Sequence, residues 1–183
     1  MKATAWDFAW DFKRDIREVP DFPVTGIAFK DIGPVIANPE SFRRAIAYME
    51  AIVAHRYPDI LVSPDARGWL FAAPVAYNLG LPLHLVRKPG KLPPETNKVK
   101  YKYEYASGEL HLSDLHDYTG KHVMIVDDVN ATGGTALAIY DLLKRGGADK
   151  VSYGCFVDIL GAGGQQRLER TGINTGSVIQ YEQ

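Results

Sequence analysis

Apolar residues along this chain fall into short runs that alternate with stretches of helical periodicity. Five largely apolar runs predict strands at residues 59–63, 82–86, 123–126, 151–159 and 177–181. Ahead of the first run, residues 38–40 (Asn, Pro, Glu) form a good helix start, and apolar residues recur at helical spacing as far as Val53. Further helices are predicted over residues 68–79, closed by Gly80, and over residues 136–144. This alternation predicts an α/β fold with a mostly parallel central sheet flanked by helices.

Residues 98–105 follow a different pattern, because aromatic or apolar side chains alternate strictly with lysines and Glu104. Such alternation predicts one arm of a hairpin, turning at residues 106–108 into a second arm at 109–113. Without any functional context, this segment is interpreted as a ribbon at the edge of a sheet, whose lysines protect it from pairing with other chains. An aromatic start, from Trp6 to Ile16, fits an amphipathic helix.

Composition narrows the class of protein. With 183 residues, 46% of them hydrophobic, the chain has enough material for a single globular domain over residues 1–183. The net charge of −1 gives no bulk attraction to nucleic acid or membrane, and the longest apolar stretch, residues 69–77, is far shorter than the roughly 20 residues of a membrane span. We therefore expect a cytoplasmic protein without nucleic-acid or membrane partners. The single cysteine, Cys155, lies in an apolar run and is expected to be a buried structural thiol.

The segment after the third predicted strand carries the clearest chemistry. Asp127 and Asp128 follow that strand directly, at the sheet edge where α/β proteins usually bind ligands. Next comes a turn of small residues before a helix, a setting in which backbone N–H groups and hydroxyls bind phosphate. The turn consists of Ala131, Thr132, Gly133, Gly134 and Thr135. Because carboxylates repel phosphate, the two acids are interpreted as acceptors for vicinal hydroxyls or as holders of hydrated Mg²⁺. If Gly-Gly-Thr is considered without its neighbours, the alternative to a phosphate site is a turn that simply caps the following helix.

Cations follow two of the other predicted strands. Arg67 lies in the turn before the helix at residues 68–79, and its planar guanidinium suits pyrophosphate. An arginine at a helix start is more often merely solvated, so Arg67 gains weight only from its neighbours. Arg87, Lys88 and Lys91 place three cations within five residues after the next strand.

Residues 121–136, with four apolar residues, two acids and Ala-Thr-Gly-Gly-Thr, closely resemble the 5-phosphoribosyl-1-pyrophosphate (PRPP) motif of the type I phosphoribosyltransferases. Residues 21–32, 65–71 and 86–93 resemble the adenine phosphoribosyltransferase family in order and spacing, and the likeness runs from about residue 21 to residue 182. The resemblance implies the type I phosphoribosyltransferase fold with a flexible hood hairpin. It also implies a cytosolic homodimer of purine salvage that joins adenine to PRPP, giving AMP and pyrophosphate with Mg²⁺ as cofactor.

The same resemblance implies a role for each motif. The turn would hold the 5′-phosphate, and Asp127 and Asp128 would hold the ribose hydroxyls. Mg²⁺ would be bound through PRPP and water, and the same two acids are its candidate protein ligands. The implied pyrophosphate-binding residues are Asp65, Ala66, Arg67, Arg87, Lys88 and Lys91. The last three resemble residues that reach a neighbouring subunit's site. The implied adenine-binding residues are Ile27, Ala28, Phe29, Lys30 and Ile159. The implied catalytic residues are Arg67 together with Glu104 and Tyr105 at the hood tip, Glu104 handling the proton at purine N7.

Alternatives remain for the base and for the activity. Lys30 and Asp158 stand where many relatives have Arg and Glu, so a transferase for xanthine or guanine is an alternative. A non-catalytic PRPP-binding regulator is another, but it would need a nucleic-acid-binding appendage for which a chain of this length and charge leaves no room. Phe29 and Ile159 could equally be plain core residues.

Overall fold

The structure is a computed structural model that describes residues 11–88, 91, 97–103, 106–112 and 117–182, with backbone alone for residues 97–103 and 106–109. The chain divides into two compact units, Met1–Ala45 and Ile46–Gln183. The single domain over residues 1–183 therefore stays a prediction. Within the described part of the chain, no helix is long and apolar enough to cross a membrane.

The first unit contains a small antiparallel pair of strands. β1 (Arg17–Val19) pairs with β2 (Phe29–Asp31), and a short helix, α1 (Gly33–Ala37), follows. Phe12 lies in a 3-10 turn, so the predicted amphipathic helix does not extend to Ile16. The longer helix α2 (Pro39–Ala54) starts as predicted, because the side chain of Asn38 accepts hydrogen bonds from the N–H groups of Glu40 and Ser41 at 3.0 and 3.1 Å.

The second unit is built on a seven-stranded sheet in the order β5-β6-β4-β3-β7-β8-β9. The strands are β3 (Ile60–Pro64), β4 (Leu83–Arg87), β5 (Asn97–Tyr103), β6 (Ala106–Leu112), β7 (His122–Asn130), β8 (Lys150–Ile159) and β9 (Ser177–Tyr181). β4, β3, β7, β8 and β9 are parallel neighbours, whereas β6 pairs antiparallel with both β4 and β5. The predicted, mostly parallel sheet is confirmed.

The paired arms of the hairpin extend further than the sequence pattern suggests. Ala106 pairs with Tyr103 and Gly108 pairs with Tyr101, so residues 106–108 belong to β6 and the prediction of a turn there is wrong. Glu104 and Tyr105, predicted to lie at the hood tip, are outside the described residues. The small side chains of Ala, Ser and Gly indicated a turn, but the ladder continues through them.

Among the described residues of the second unit, the helices after α2 that flank the sheet are α3 (Gly68–Leu79), α4 (Gly134–Arg145) and α5 (Gly164–Arg170). Gly80 adopts the left-handed conformation and ends α3 as predicted. Residues 123–126 of β7 are fully buried, and Val123 and Ile125 share a core cluster with Ile139 and Leu143 of α4. Cys155 is also fully buried, which confirms the expected structural thiol. This core fixes the carboxyl ends of β3 and β7 side by side.

Candidate active site

The residues predicted to bind the phosphate, the ribose and the pyrophosphate gather mostly at the carboxyl ends of β3 and β7. β3 leads into α3 through residues 65–67, and β7 leads into α4 through residues 131–133. Because the two strands are parallel neighbours, both connections leave the sheet at the same edge. Two cavities lie at this edge and share Asp127, Val129 and Thr135 in their linings.

The small-residue turn encloses the first cavity, which has a volume of about 140 Å³. Gly133 has a φ of +77°, a conformation that glycine adopts without penalty, and α4 begins at the next residue. The first N–H groups of a helix have no intrahelical partners and are therefore available to an anion. All five predicted phosphate-binding residues line this cavity: Ala131, Thr132, Gly133, Gly134 and Thr135. The structure thus brings the predicted phosphate site together.

Asp127 and Asp128 are buried beside the turn, with exposed fractions of 7% and 6%. They lie inside β7, which continues to Asn130, rather than after the end of the strand. The N–H of Asp128 donates to Asp127 Oδ1 at 2.8 Å. Burial raises the pKa of Asp127 well above its ordinary value, and the negative charge of Asp128 raises it further. The pair presents carboxylate oxygens that can accept from hydroxyl groups or bind a hard cation.

Arg67 connects the acids to the second cavity, which has a volume of about 330 Å³. Its Nε lies 2.7 Å from Asp128 Oδ2, forming an ion pair between the ends of β3 and β7. The Asp65–Ala66 peptide that precedes it is cis. Asp65, Ala66, Arg67 and Lys88 all line this cavity. The predicted pyrophosphate residues from two separate strands therefore meet in one place.

The remaining predicted cations flank this cavity. Arg87 Nε lies 3.4 Å from Asp65 Oδ2, and the guanidinium stands 5.0 Å from the ring centroid of Trp69. Arg87 Nη1 also donates to the carbonyl of Lys91 at 3.1 Å, while Lys91 itself is exposed. Arg87 is thus held between an acid and an aromatic ring.

The predicted adenine-binding residues are divided between the two units. Ile27, Ala28, Phe29 and Lys30 belong to the first unit, whereas Ile159 ends β8 in the second. The Phe29 ring meets Phe22 edge to face at 5.2 Å, and the buried Lys30 forms an ion pair with Glu18. The assignment of these residues to adenine stays a prediction, as do the catalytic roles of Glu104 and Tyr105.

Comparison with known proteins identifies the family. The phosphoribosyl transferase domain matches residues 34–176 of this chain. The adenine phosphoribosyltransferase of Thermotoga maritima is 44% identical over 168 residues, which cover 92% of this chain and 97% of the relative. The chain belongs to the adenine phosphoribosyltransferase family. The predicted phosphoribosyltransferase motif, in β7 and the turn after it, lies within the matched residues.

Solved structures of adenine phosphoribosyltransferases share the fold. The enzyme of Thermoanaerobacter pseudethanolicus superimposes with a TM-score of 0.84 at 38% identity, covering 93% of this chain and 98% of that chain. The Giardia lamblia enzyme in complex with 9-deazaadenine gives a TM-score of 0.84 at 27% identity, covering 93% and 96%. The predicted α/β phosphoribosyltransferase fold is thereby confirmed.

Two polar cavity residues escaped the sequence analysis. Asn130 and Tyr153 both line the first cavity. Asn130 Nδ2 donates to Asp158 Oδ1 at 2.9 Å, and burial raises the pKa of Asp158. Tyr153 lies on β8, opposite Ile125 of β7, so only the pairing of the two strands brings it next to the phosphoribosyltransferase motif. Asn130 stands inside that motif and could have been found there, whereas Tyr153 carries no local signal.

Proposed function

We propose that the chain transfers the 5-phosphoribosyl group of PRPP to adenine, giving AMP and pyrophosphate in purine salvage. The observation that carries this proposal is the pair of adjoining cavities. One is lined by the small-residue turn and the other by Arg67 and Lys88, with Asp127 and Thr135 common to both. PRPP carries a phosphate at one end of a ribose and a pyrophosphate at the other, and adjoining sites of this kind fit such a molecule.

Each side of the site has a part in holding PRPP. The turn residues 131–135 would bind the 5′-phosphate through backbone N–H groups and threonine hydroxyls. Asp127 and Asp128 would accept hydrogen bonds from the ribose hydroxyls, for which buried carboxylates are strong acceptors. Pyrophosphate would lie against Arg67, with its guanidinium released in part from Asp128 when the more highly charged ligand arrives.

The acid pair also fits a hydrated Mg²⁺. Carboxylate oxygens are the protein ligands that Mg²⁺ prefers, and it usually keeps several waters and substrate oxygens. Among the described residues, no group of three or more potential metal-binding side chains forms, so Asp127 and Asp128 would supply the protein's share. Bound Mg²⁺ would neutralise charge on the departing pyrophosphate.

The reaction forms a bond between a purine nitrogen and the anomeric carbon while the bond from that carbon to pyrophosphate breaks. The electron pair leaves with pyrophosphate, and Arg67 and Lys88 would stabilise the charge that develops there. Glu104 is proposed to take the proton at purine N7, with Tyr105 beside it. Phe29 and Ile159 would stack on the base, while the backbone of residues 27–29 and Lys30 would bind its polar edge.

We also propose that the enzyme works as a homodimer. α3 begins beside Arg67 and exposes Leu70 and Tyr77 on one side, with exposed fractions of 43% and 87%. Leu70 and Tyr77 are seven residues apart, about two helical turns, so they lie on the same side of α3, where exposed apolar side chains suit contact with another protein. Because this surface starts next to the pyrophosphate site, a second copy seated on it would bring its Arg87, Lys88 and Lys91 towards the neighbouring site.

The test is release of pyrophosphate from PRPP and Mg²⁺ with adenine, hypoxanthine, guanine or xanthine as acceptor. We expect turnover with adenine alone. Replacing Arg67 by glutamine should lower kcat/KM for PRPP about a hundredfold, since a charged donor to the leaving group is lost. Arg170→Gln, an exposed change on α5, is the control. Turnover with an oxopurine would contradict the base assignment, and PRPP binding without any turnover would favour the regulator.

A further inference from the structure

The start of α5 is packed tightly against the phosphate-binding turn. Gly164, the first residue of α5, is buried, and its N–H donates to the carbonyl oxygen of Ala131 at 2.9 Å. A Cβ atom at Gly164 would collide with that oxygen and would lie 2.6 Å from the backbone nitrogen of Gly133. Both neighbours are backbone atoms of the turn, so neither can rotate away as a side chain would. Only glycine permits this contact.

Two further contacts join the same region to the turn. Arg167 Nη1 donates to the carbonyl oxygen of Thr132 at 3.3 Å. Asn130, directly before the turn, donates from Nδ2 to Asp158 of β8, and its Oδ1 would lie 2.8 Å from a Cβ at Gly164. Gly164 therefore contacts the backbone of Ala131 and Gly133, and Arg167 contacts the backbone of Thr132.

This support matters because the turn contains two glycines, which have more conformational freedom than other residues. An anion site made of backbone N–H groups works only when those groups converge on one point. Nothing in the local sequence of residues 131–135 restricts them to that arrangement. A rigid neighbour packed against the backbone of the turn can restrict it in this way.

We propose that Gly164, supported by Arg167, is a positioning residue that fixes the phosphate-binding turn for the 5′-phosphate of PRPP. The proposal rests on the proposed function. Gly164 contacts the turn and not the reacting atoms, so its effect should fall on PRPP binding and leave the affinity for the base unchanged. The sequence analysis assigned no function to this glycine.

The main experiment compares Gly164→Ala with Gly161→Ala. Gly161 is exposed in the preceding 3-10 turn and has no positive φ, so it controls for a methyl group added nearby. We expect Gly164→Ala to raise KM for PRPP about tenfold or more, because small displacements of positioned groups have large effects. KM for adenine should not change, and calorimetric titration with PRPP and Mg²⁺ should show the same loss of affinity. Gly161→Ala should match the wild type.

A second pair of variants covers the case in which Gly164→Ala does not fold. Arg167→Met removes the donor to Thr132, while Arg170→Met removes the same charge from an exposed position of the same helix. Arg167→Met should weaken PRPP binding several-fold, about the effect of one hydrogen bond, and Arg170→Met should not. Wild-type PRPP affinity in both Gly164→Ala and Arg167→Met, or an equal rise in KM for adenine, would overturn the proposal.

Calorimetry also separates this inference from the proposed function, because PRPP binding needs no acceptor base. If the wild type binds PRPP but transfers nothing to adenine, the proposed function fails. Weaker PRPP binding by Gly164→Ala would still support the positioning role in that case.

Discussion

Among single residues, the two acids of the site show how binding competes with stability. Asp127 and Asp128 are adjacent in sequence and nearly excluded from water, although each would be better solvated at the surface. Burial first, and the charge of Asp128 second, raise the pKa of Asp127 in the folded protein. An ionised Asp127 therefore costs free energy that the fold supplies from elsewhere, as is common at functional sites.

This cost predicts the pH dependence of an Asp127→Asn variant. Because the pKa of Asp127 is raised on folding, the folded protein keeps a proton over a pH range in which the unfolded chain has lost it. Stability therefore falls as pH rises through that range, and the loss persists at higher pH. Asparagine does not ionise and therefore does not lose this stability, so the variant should unfold at a higher urea concentration than the wild type at neutral pH. The difference should disappear near pH 3.5, roughly at the ordinary pKa of aspartate.

Asp141→Asn provides the matched control, since Asp141 is exposed on α4 and its replacement should leave the urea midpoint unchanged. Asp127→Asn should at the same time lower the rate of AMP formation, because asparagine is a weaker acceptor for ribose hydroxyls. A neutral-pH midpoint below that of the wild type would refute the argument.

Helix α3 illustrates how a whole element is placed at the site by its two terminal glycines. At its first residue, a Cβ on Gly68 would lie 2.7 Å from Ser63 Oγ and 3.1 Å from Asp127 Oδ1. At its end, Gly80 has a φ of +66°. Among the described residues, apart from its two chain neighbours, no heavy atom would lie within 4 Å of a Cβ at this position. The first glycine allows close approach, whereas the second permits a backbone conformation.

Alanine at these two glycines should therefore have different consequences. Gly68→Ala should cost about 1–3 kcal/mol of unfolding free energy by overpacking, and it should also lower kcat/KM for PRPP because Asp127 must shift. Gly80→Ala should cost about 1 kcal/mol through left-handed strain and leave kcat/KM unchanged. Urea denaturation and steady-state kinetics on both variants test this. Equal losses of activity would show that the start of α3 has no special relation to the acids.

The elements that could be predicted are those long enough to show a period. The apolar pattern located β7, β8, α2 and α3 to within a few residues, but β1, with three residues, and α5, with seven, have too few positions for any period to appear. Their structure depends on contacts with distant parts of the chain.

The same distinction holds within the site. The turn and both acids lie within one short segment, residues 127–135, so the motif alone was enough to predict them. The Arg67–Asp128 pair depends on β3 and β7 being neighbours in the sheet, and the contact of Gly164 with Ala131 depends on the path of the chain after β8. Neither arrangement leaves a local pattern. The predicted adenine-binding residues are the hardest case, because they are divided between the two units.

For the whole molecule, the decisive surface is the exposed side of α3. Phe71, Ala72 and Val75 are buried on one side of this helix, while Leu70 and Tyr77 remain exposed on another. A helix that is apolar on more than one side is typical of a position between two layers. In a homodimer, the partner would supply the second layer, and the cations at the end of β4 and just after it would complete the neighbouring subunit's site.

Tyr77→Glu tests this arrangement directly. An exposed tyrosine at the centre of an interface often contributes 2 kcal/mol or more to association, so the charged substitution should weaken the dimer at least about thirtyfold. Sedimentation velocity over a dilution series would measure this. Tyr57→Glu is the matched control, because Tyr57 is exposed to 85% against 87% for Tyr77 and lies outside α3. Tyr57→Glu should sediment as the wild type does. If partner cations complete the site, specific activity of Tyr77→Glu should fall on dilution in step with the dimer fraction. Monomers that retain full activity would show that each chain carries a complete site.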